Sequence, residues 1–254
     1  MTENELPDKL REKYLFKHPL GRGGAETFCI QNRSTGELWV LKIFEKQSYE
    51  SKYIEELRLV FQSAQKVSNP GIEKIEDIEE TEQYLFIVQE YLRGKTLSEM
   101  VKKEGAFQPG NVILFGRQLL RTVQELRQCT PPVLVRVMMP DDIICMDDGS
   151  IKLCNIGWVI TFDSVYKKDF MCSLPINGFS APEEYSGLKH IDERTDIFHI
   201  GMILFYIVLG VDPRKKLYYN IDRMFLAEHL APSYSQKTAE LIWKCIIPKP
   251  GKDW

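Results

Sequence analysis

The stretch VLVRVMMPDDIICMDDGSIKLCNIGW, from Val133 to Trp158, decides how the whole chain is interpreted. Two short apolar runs flank an acidic turn at residues 147–149, and Gly157 follows the second run. This pattern predicts short strands around a tight turn. The first half of the stretch, residues 133–140, is apolar apart from Arg136, whereas four aspartates follow it between residues 141 and 148.

Length, composition and charge limit the classes of protein to be considered. The chain has 254 residues, of which 44% are hydrophobic and 27% charged, as in an ordinary soluble globular protein. This length suits one large domain or two small lobes. The formal net charge of −3 gives no electrostatic reason to expect binding to nucleic acid or to an anionic membrane.

The cysteines and the apolar runs indicate the cellular compartment of the chain. None of the six cysteines forms a C-x-x-C pair, so we expect no zinc site and a reducing, cytoplasmic location. The first residues, MTENELPDKLREK, have no apolar core and do not form a signal peptide. The longest apolar run, residues 197–211, is too short to span a bilayer and contains His199. We expect a buried helix with a core histidine, and no membrane contact within this chain.

Hydrophobic patterns on both sides of the opening stretch predict a β-rich part followed by a helical part. Two strand-like runs surround a turn at residues 32–36, and a second strand pair is predicted around residues 79–83. Between them, one helix face is formed by Tyr53, Leu57, Val60, Phe61 and Ala64. After Gly94 the pattern becomes helical, with a long helix presenting Val112, Phe115, Leu119, Val123 and Leu126 on one face.

Two features of the first part are candidates for chemistry. The run LGRGG, residues 20–24, is either a glycine-rich hairpin turn or a loop whose amides approach a phosphate. Lys42 lies within the apolar run WVLKIF, and burying an ammonium group there requires a partner. Glu56, on the following predicted helix, is the best candidate for that partner.

Together with FSAPEEY (179–185) and DIFHIG (196–201), these segments resemble a protein kinase domain of the serine/threonine type, closest to bacterial examples. In this resemblance LGRGG is the glycine-rich loop, VLK (40–42) contains the third-strand lysine, and IVQEYLRGKTL (87–97) is the hinge. The resemblance implies an α+β, bilobal fold. Residues 1–91 would form a five-stranded sheet plus one helix, and residues 92–254 a mainly helical lobe. The family's last helix would lie beyond the chain, so we expect a part of a longer protein, whose remainder could include a membrane segment.

The resemblance implies that the catalytic machinery is missing. Aligning Pro140 and Ile143 with the family's P-x-N-I segment places Val137 at the position of the general base. Met139 takes the place of the catalytic-loop lysine, and Ile176 that of a threonine which usually bonds both groups. An isopropyl group can neither accept a proton nor hydrogen-bond a hydroxyl. We therefore expect no catalytic residue, and a repacked apolar patch at these three positions.

Nucleotide and metal sites are implied by the same resemblance. Asp142 and Asn155 stand at the two metal-binding positions, with the family's Asn and Asp exchanged. Glu26 and Phe28, counted onto the glycine-rich loop, are expected near the phosphates and in the adenine pocket, where they would oppose binding. The positions that would bind nucleotide are Gly21, Gly23, Val40, Lys42, Glu56, Glu90, Leu92 and Ile144.

Two hypotheses follow. The first is a pseudokinase, an inert kinase-like signalling domain that acts as a scaffold or allosteric module for unidentified protein partners, with weak or absent nucleotide binding. The alternative is a divergent kinase or nucleotidyl transferase that uses Asp142 and Lys42 with ATP and Mg²⁺ or Mn²⁺. The site, not the fold, has to decide between them.

Overall fold

The computed structural model describes residues 6–22, 25–49, 51–128, 133–135, 138–154, 160–161, 178–185, 192–210 and 234–246. Contacts within the chain define two compact units, and the division falls between Arg93 and Gly94. The first unit contains the described residues up to Arg93, and the second contains those from Gly94 onward. The boundary expected after residue 91 lies beside this division.

A five-stranded antiparallel sheet forms the body of the first unit. Its strands are β1 (Tyr14–Arg22), β2 (Glu26–Asn32), β3 (Leu38–Glu45), β4 (Ile75–Glu80) and β5 (Tyr84–Glu90), in the order β1-β2-β3-β5-β4. The β2–β3 turn forms because the Asn32 side chain accepts the amides of Ser34 and Thr35 at 2.9 and 3.1 Å. Gly36, with a φ of 74°, completes that turn. Both predicted strand pairs are thereby confirmed.

One face of this sheet, here called the α1 face, is covered by the short helix α1 (Asp8–Lys13). Leu10 of α1 is buried against the sheet, and Asp77 of β4 accepts hydrogen bonds from Lys13 Nζ and Tyr14 Oη, each at 2.7 Å. The apolar cluster on this face contains Leu6, Leu10, Tyr14, Ile30, Trp39, Leu41, Ile43, Phe86 and Val88. The sequence pattern missed α1, because six residues are too few to show a helical period.

The opposite face of the sheet, here called the Lys42 face, carries the helix α2 (Ser51–Gln65). Val40, Lys42 and Phe44 alternate with the residues of the α1 face along β3, as side chains of a strand must. The Phe44 ring lies 6.2 Å from that of Phe61 on α2, measured between centroids. The predicted helix is confirmed, and four of its predicted apolar residues are buried: Leu57, Val60, Phe61 and Ala64.

Helices dominate the second unit. They are α3 (Leu97–Glu104), α4 (Pro109–Arg127), α5 (Pro182–Tyr185), α6 (Glu193–Leu209) and α7 (Gln236–Ile246). The predicted apolar face of α4 is buried throughout: Val112, Phe115, Leu119, Val123 and Leu126. The predicted buried helix is α6, which begins at the N-cap Asp192 and ends at Gly210. Its close packing on α7 depends on Gly201, since a Cβ there would lie 2.5 Å from the Cβ of Cys245.

Short strands complete the second unit and include part of the opening stretch. β6 (Gly94–Thr96), β8 (Ile143–Met146) and β9 (Ile151–Leu153) form one small sheet, while β7 (Val133–Leu134) pairs with β10 (Ile160–Thr161). The acidic turn joins β8 to β9, and Gly149 adopts a φ of 82° there. The predicted α+β class, with a β-rich first part and a mainly helical second part, is confirmed. No helix in the described ranges is both long and apolar enough to cross a bilayer.

Candidate functional site

Lys42 occupies the centre of β3, with Thr27 of β2 and Ile87 of β5 as its cross-strand partners. Its side chain is half-buried on the Lys42 face, the same face that α2 covers. The helix that carries Glu56 therefore packs on the face required for a Lys42–Glu56 ion pair. The side chain of Glu56 lies outside the described residues, so the pair itself stays a prediction.

The pairing of β2 with β3 corrects two predictions about the nucleotide pocket. Thr27 lies opposite Lys42, whereas Phe28 lies opposite Leu41 and Glu26 opposite Ile43. Directly opposed residues of two strands point to the same side of a sheet, so Phe28 and Glu26 belong to the α1 face. Phe28 packs there against Phe16, with the ring centroids 5.1 Å apart and the planes at 75°. The expectations that Phe28 fills the adenine pocket and that Glu26 faces the phosphates were wrong.

The cause of this error is the alternation of side chains along a strand. The prediction placed Phe28 and Glu26 by counting from the glycines with the family's usual spacing. A difference of one residue in that count moves every side chain of the strand to the opposite face. The observed register leaves Thr27, not Phe28, beside Lys42.

Val40 lies on the Lys42 face as predicted. Beside it lies a polar residue, Gln89, that could not be placed from the sequence. The cross-strand partners of Val40 are Cys29 and Gln89. Gln89 is only 4% exposed, and its Nε2 donates to Glu73 Oε2 at 2.5 Å. Among the described residues its Oε1 has no hydrogen-bond partner. The available signal was a single amide side chain within the apolar run of β5.

The other predicted nucleotide positions of the first unit are described in part. Gly21 lies in β1 with a φ of 156°, which favours glycine, although a Cβ added there would meet nothing within 4 Å. Gly23 lies outside the described residues. Glu90 ends β5, where its amide donates to the Lys74 carbonyl at 2.8 Å. Leu92 follows in the segment that leads to the second unit.

In the second unit, a turn of 3₁₀ helix, Pro140–Asp142, fixes the register of the candidate catalytic loop. The amide of Asp142 donates to the Met139 carbonyl at 2.9 Å, and the Asp142 carbonyl accepts the amide of Cys154 at 2.8 Å. Ile144 follows in β8, where it pairs with Thr96 and Lys152. Met139 therefore stands three residues before Asp142 on an anchored segment, at the position where the resemblance calls for a lysine.

The remaining predicted positions of the second unit, Val137, Ile176 and Asn155, lie outside the described residues. The described neighbours of Val137 are buried: Leu134, Val135 and Met138. One member of the predicted metal pair can therefore be placed, namely Asp142, and its partner Asn155 cannot. Within the described ranges, no group of three or more His, Cys, Asp or Glu side chains is arranged to hold a metal ion.

A buried polar network lies next to this loop. His199 of α6 is 2% exposed, and its Nε2 lies 2.9 Å from Glu184 Oε2, while its Nδ1 lies 3.4 Å from the Val135 carbonyl. Burial acts to lower the pKa of His199, but the hydrogen bond and charge of Glu184 outweigh it, and the pKa is raised. Burial also raises the pKa of Asp196 to about 7. The prediction of a core histidine with satisfied partners is confirmed.

Comparison with known proteins agrees with this architecture. A family model described as the protein kinase domain matches residues 14–252. This chain belongs to the protein kinase family. The matched range includes the five strands, the Lys42 face and the loop before β8, and it begins after α1.

Relatives of this kinase domain are distant. Sperm motility kinase 3A of Mus musculus is 25% identical over 208 residues, which are 81% of this chain and 40% of that protein. A probable myosin light chain kinase of Dictyostelium discoideum is 26% identical over 217 residues, 84% of this chain and 61% of that protein. A probable serine/threonine-protein kinase of Clostridium perfringens is 26% identical over 147 residues, 58% of this chain and 21% of that protein.

The relatives support a kinase-like domain with serine/threonine kinase homologues, at an identity too low to carry over an activity. The chain spans less than two thirds of the length of each of these relatives. They come from animal, Dictyostelium and Clostridium sources, so the predicted bacterial-like type stays a prediction. Activity, substrates and partners of the whole protein are therefore matters for proposal.

Proposed function

We propose that the chain is a catalytically inert kinase-like domain that acts by binding other proteins in a signalling assembly. The observation that carries this proposal is the residue Val137 at the position of the general base, with Met139 two residues later. A kinase needs a carboxylate to orient the substrate hydroxyl and to accept its proton, and valine provides neither function.

The anchored register of the loop supports this reading. The Asp142 amide donates to the Met139 carbonyl and the Asp142 carbonyl accepts the Cys154 amide, so the turn that follows the proposed base position is held by backbone hydrogen bonds on both sides of Asp142. Asp141 and Asp142 are the two carboxylates of this turn, and Asp142 takes the position of the family's catalytic-loop asparagine. In the family that position serves the metal rather than the hydroxyl.

Nucleotide binding is proposed to be weak at most. The two residues expected to oppose nucleotide binding, Glu26 and Phe28, belong to the α1 face. Val40 remains on the Lys42 face, where it is larger than the family's usual alanine. When bound, ATP would supply a phosphoryl group. Lys42 offers a cation for its phosphates, and Thr27 and Val40 contribute to the surface beside that cation.

The first experiment separates nucleotide binding from simple stability. The melting temperature of the chain is measured with and without ATP and Mg²⁺ or Mn²⁺, for the wild type, Lys42→Met and Lys17→Met. Lys17 is the matched control, because it is an exposed lysine on β1 of the same sheet. A nucleotide-dependent shift that Lys42→Met abolishes and Lys17→Met keeps identifies binding at Lys42. No shift in any variant identifies a scaffold that does not bind nucleotide.

The second experiment tests inertness itself. The chain is incubated with ATP labelled at the γ- or the α-phosphate, with a general protein acceptor present. We expect no incorporation beyond that of a heat-denatured sample. Incorporation that is lost in Asp142→Asn would refute the inert-domain proposal.

A second candidate function is a divergent kinase or nucleotidyl transferase that uses Asp142 and Lys42. The observation in its favour is that the Lys42 face is free of the Phe28 ring and the Glu26 carboxylate. The two labels distinguish its forms, since γ-label indicates phosphoryl transfer and α-label indicates nucleotidyl transfer.

A further inference from the structure

The helix α4 presents apolar side chains to solvent. Three of the seven large apolar side chains that are exposed in the described part of the chain lie on this helix: Ile113, Leu114 and Leu120. Leu114 borders the β8–β9 hairpin, whereas Ile113 and Leu120 lie apart from it, with exposed fractions of 59% and 44%. Because a half-covered apolar side chain gains free energy when it is covered fully, Ile113 and Leu120 mark a surface that a partner could bury.

The spacing along α4 places these two residues on one stripe of the helix. An α-helix turns by about 100° per residue, so Ile113, Arg117, Leu120 and Gln124 fall within about 60° of one another, and Leu114 lies roughly 100° away from Ile113. All four members of this stripe, here called the Arg117 stripe, are exposed. The i, i+4, i+7, i+11 pattern is the one by which a helix packs against a second helix.

The charge of α4 is opposite in sign to that of the whole chain. The helix contains three arginines and one glutamate, whereas the chain has a formal net charge of −3. Arg121, beside the stripe, donates to Glu125 Oε1 at 2.8 Å. Arg117 lies between Ile113 and Leu120 and forms no salt bridge with any residue in the described ranges. A partner that covers the stripe therefore either desolvates the Arg117 guanidinium or supplies an acid for it.

This unpaired charge argues against two possible occupants. A second copy of the chain, bound through the same stripe about a two-fold axis, would place Arg117 opposite its own counterpart, and like charges across an interface are destabilising. A membrane-surface helix buries its apolar face roughly 5–10 Å into the lipid. Ile113 and Leu120 are already about half covered by their own unit, so they cannot enter lipid to that depth.

We propose that the Arg117 stripe binds an acidic amphipathic helix of a partner protein. The partner helix would place two apolar side chains, about two turns apart, against Ile113 and Leu120, and at least one aspartate or glutamate beside Arg117. The apolar contacts would supply affinity, and the carboxylate would select an acidic helix over a basic one.

This inference rests on the protein-binding part of the proposed function and names the class of partner. The incorporation of labelled phosphate measures a different property of the chain. Incorporation would therefore refute inertness and leave the Arg117 stripe unaffected, whereas failure of the binding test below would leave inertness unaffected.

The test uses a phage-displayed library of peptides of about three heptads, with leucine at positions a and d and with glutamate, lysine, glutamine or alanine at the others. The library is selected on the wild-type chain, and enriched peptides are synthesised for affinity measurement by fluorescence anisotropy. We expect glutamate to be enriched over lysine at the positions that flank the leucines.

The apolar contact is tested with Leu120→Glu. This substitution removes one of the two apolar side chains and places a carboxylate beside Arg117, so we expect the peptides to bind about tenfold more weakly or worse. The control is Leu241→Glu on α7, a helical leucine of the same unit that is 54% exposed, which should change the affinity by less than about twofold. The melting temperatures of both variants are compared first, so that a loss of folding is not taken for a loss of binding.

The charge is tested by reversal, with a substitution that removes no apolar contact and so remains informative if Leu120→Glu folds poorly. Arg117→Glu should weaken the acidic peptides by about threefold to tenfold and reduce the salt dependence of their binding. The same peptides with lysine in place of glutamate should bind Arg117→Glu more tightly than wild type. Lys237→Glu, an exposed lysine on α7, is the control and should leave all of these affinities unchanged.

Several results would overturn the proposal. One is a selection that enriches no acidic peptide, and another is binding that both Leu120→Glu and Arg117→Glu leave intact. A dimer of the chain that Leu120→Glu dissociates would make the occupant a second copy. Binding to vesicles of phosphatidylcholine and phosphatidylserine that the same substitution abolishes would make it a membrane surface.

Discussion

The substitution Leu10→Ala tests whether α1 is an integral part of the first unit. Leu10 is 1% exposed and belongs to the apolar cluster on the α1 face. The change removes three carbon groups, each contributing about 0.8 kcal/mol when buried. The cavity left behind adds to this loss, so we expect the free energy of unfolding to fall by about 3 kcal/mol.

The control is Leu59→Ala on α2, a leucine in a helix of the same unit that is 49% exposed. About half of its side chain is covered, and we expect a loss of about 1 kcal/mol. The assay is amide hydrogen exchange in the native protein, read from peptides that span β1 to β3. A loss of 3 kcal/mol accelerates exchange through unfolding more than about a hundredfold, because 1.4 kcal/mol corresponds to a factor of ten.

One result would refute the reasoning behind this prediction. If Leu10→Ala and Leu59→Ala accelerated exchange in β1 to β3 equally, the α1 face would not depend on α1. The family match begins at Tyr14, so this element is a feature of the chain rather than of the matched domain. A positive result therefore identifies a stabilising contact that the family resemblance did not imply.

Two further predictions concern the second unit. Glu184→Gln should cost about 1–3 kcal/mol of stability near pH 6, because the raised pKa of His199 means that its partner stabilises the imidazolium. That contribution is complete below the unfolded pKa of 6.5 and is lost as the pH rises through the folded pKa, so the urea midpoints of variant and wild type should converge once the pH exceeds the folded pKa. Gly201→Ala should destabilise by about 1–3 kcal/mol, since its Cβ would meet Cys245, whereas Gly110→Ala, with open space around it, should be neutral or stabilising by less than about 1 kcal/mol in thermal unfolding.

Long amphipathic elements were the part of the fold that the sequence alone could predict. The apolar residues that recur at helical spacing in α2 and α4 form one buried face of each helix, because burial of that face stabilises the helix. Helix α1 escaped prediction because its one buried residue, Leu10, is surrounded by charged residues whose partners lie far along the chain. The partners, Glu76, Asp77 and Glu79, belong to β4. No local pattern reports such a contact.

The sequence predicted which segments carry the candidate site better than it predicted the sheet face on which each side chain lies. Lys42 and Val40 lie on the face that the resemblance requires, since the apolar residues on either side of them fix the pleat of β3. Glu26 and Phe28 were misplaced because the count from the glycines differs by one residue from the β2–β3 pairing, which puts Thr27 opposite Lys42. Gln89 was missed because an apolar run gives no sign of which face its one polar member occupies.

The predicted catalytic-loop positions and Lys42 differ in the chemistry that their side chains can provide. In a buried network, loss of one polar member is costly, whereas loss of all members together can be neutral. Under the proposed function, the apolar residues at positions 137, 139 and 176 correspond to the second route, in which the whole polar group is replaced. Lys42 differs, because an ammonium group on a half-buried strand must have solvent, a ligand or an anion beside it. Under the proposed function, Lys42 with no base at position 137 would let the chain bind a nucleotide without consuming it. The Lys42→Met melting experiment separates this sensing role from a purely structural one, since a structural lysine would alter stability equally with and without ATP.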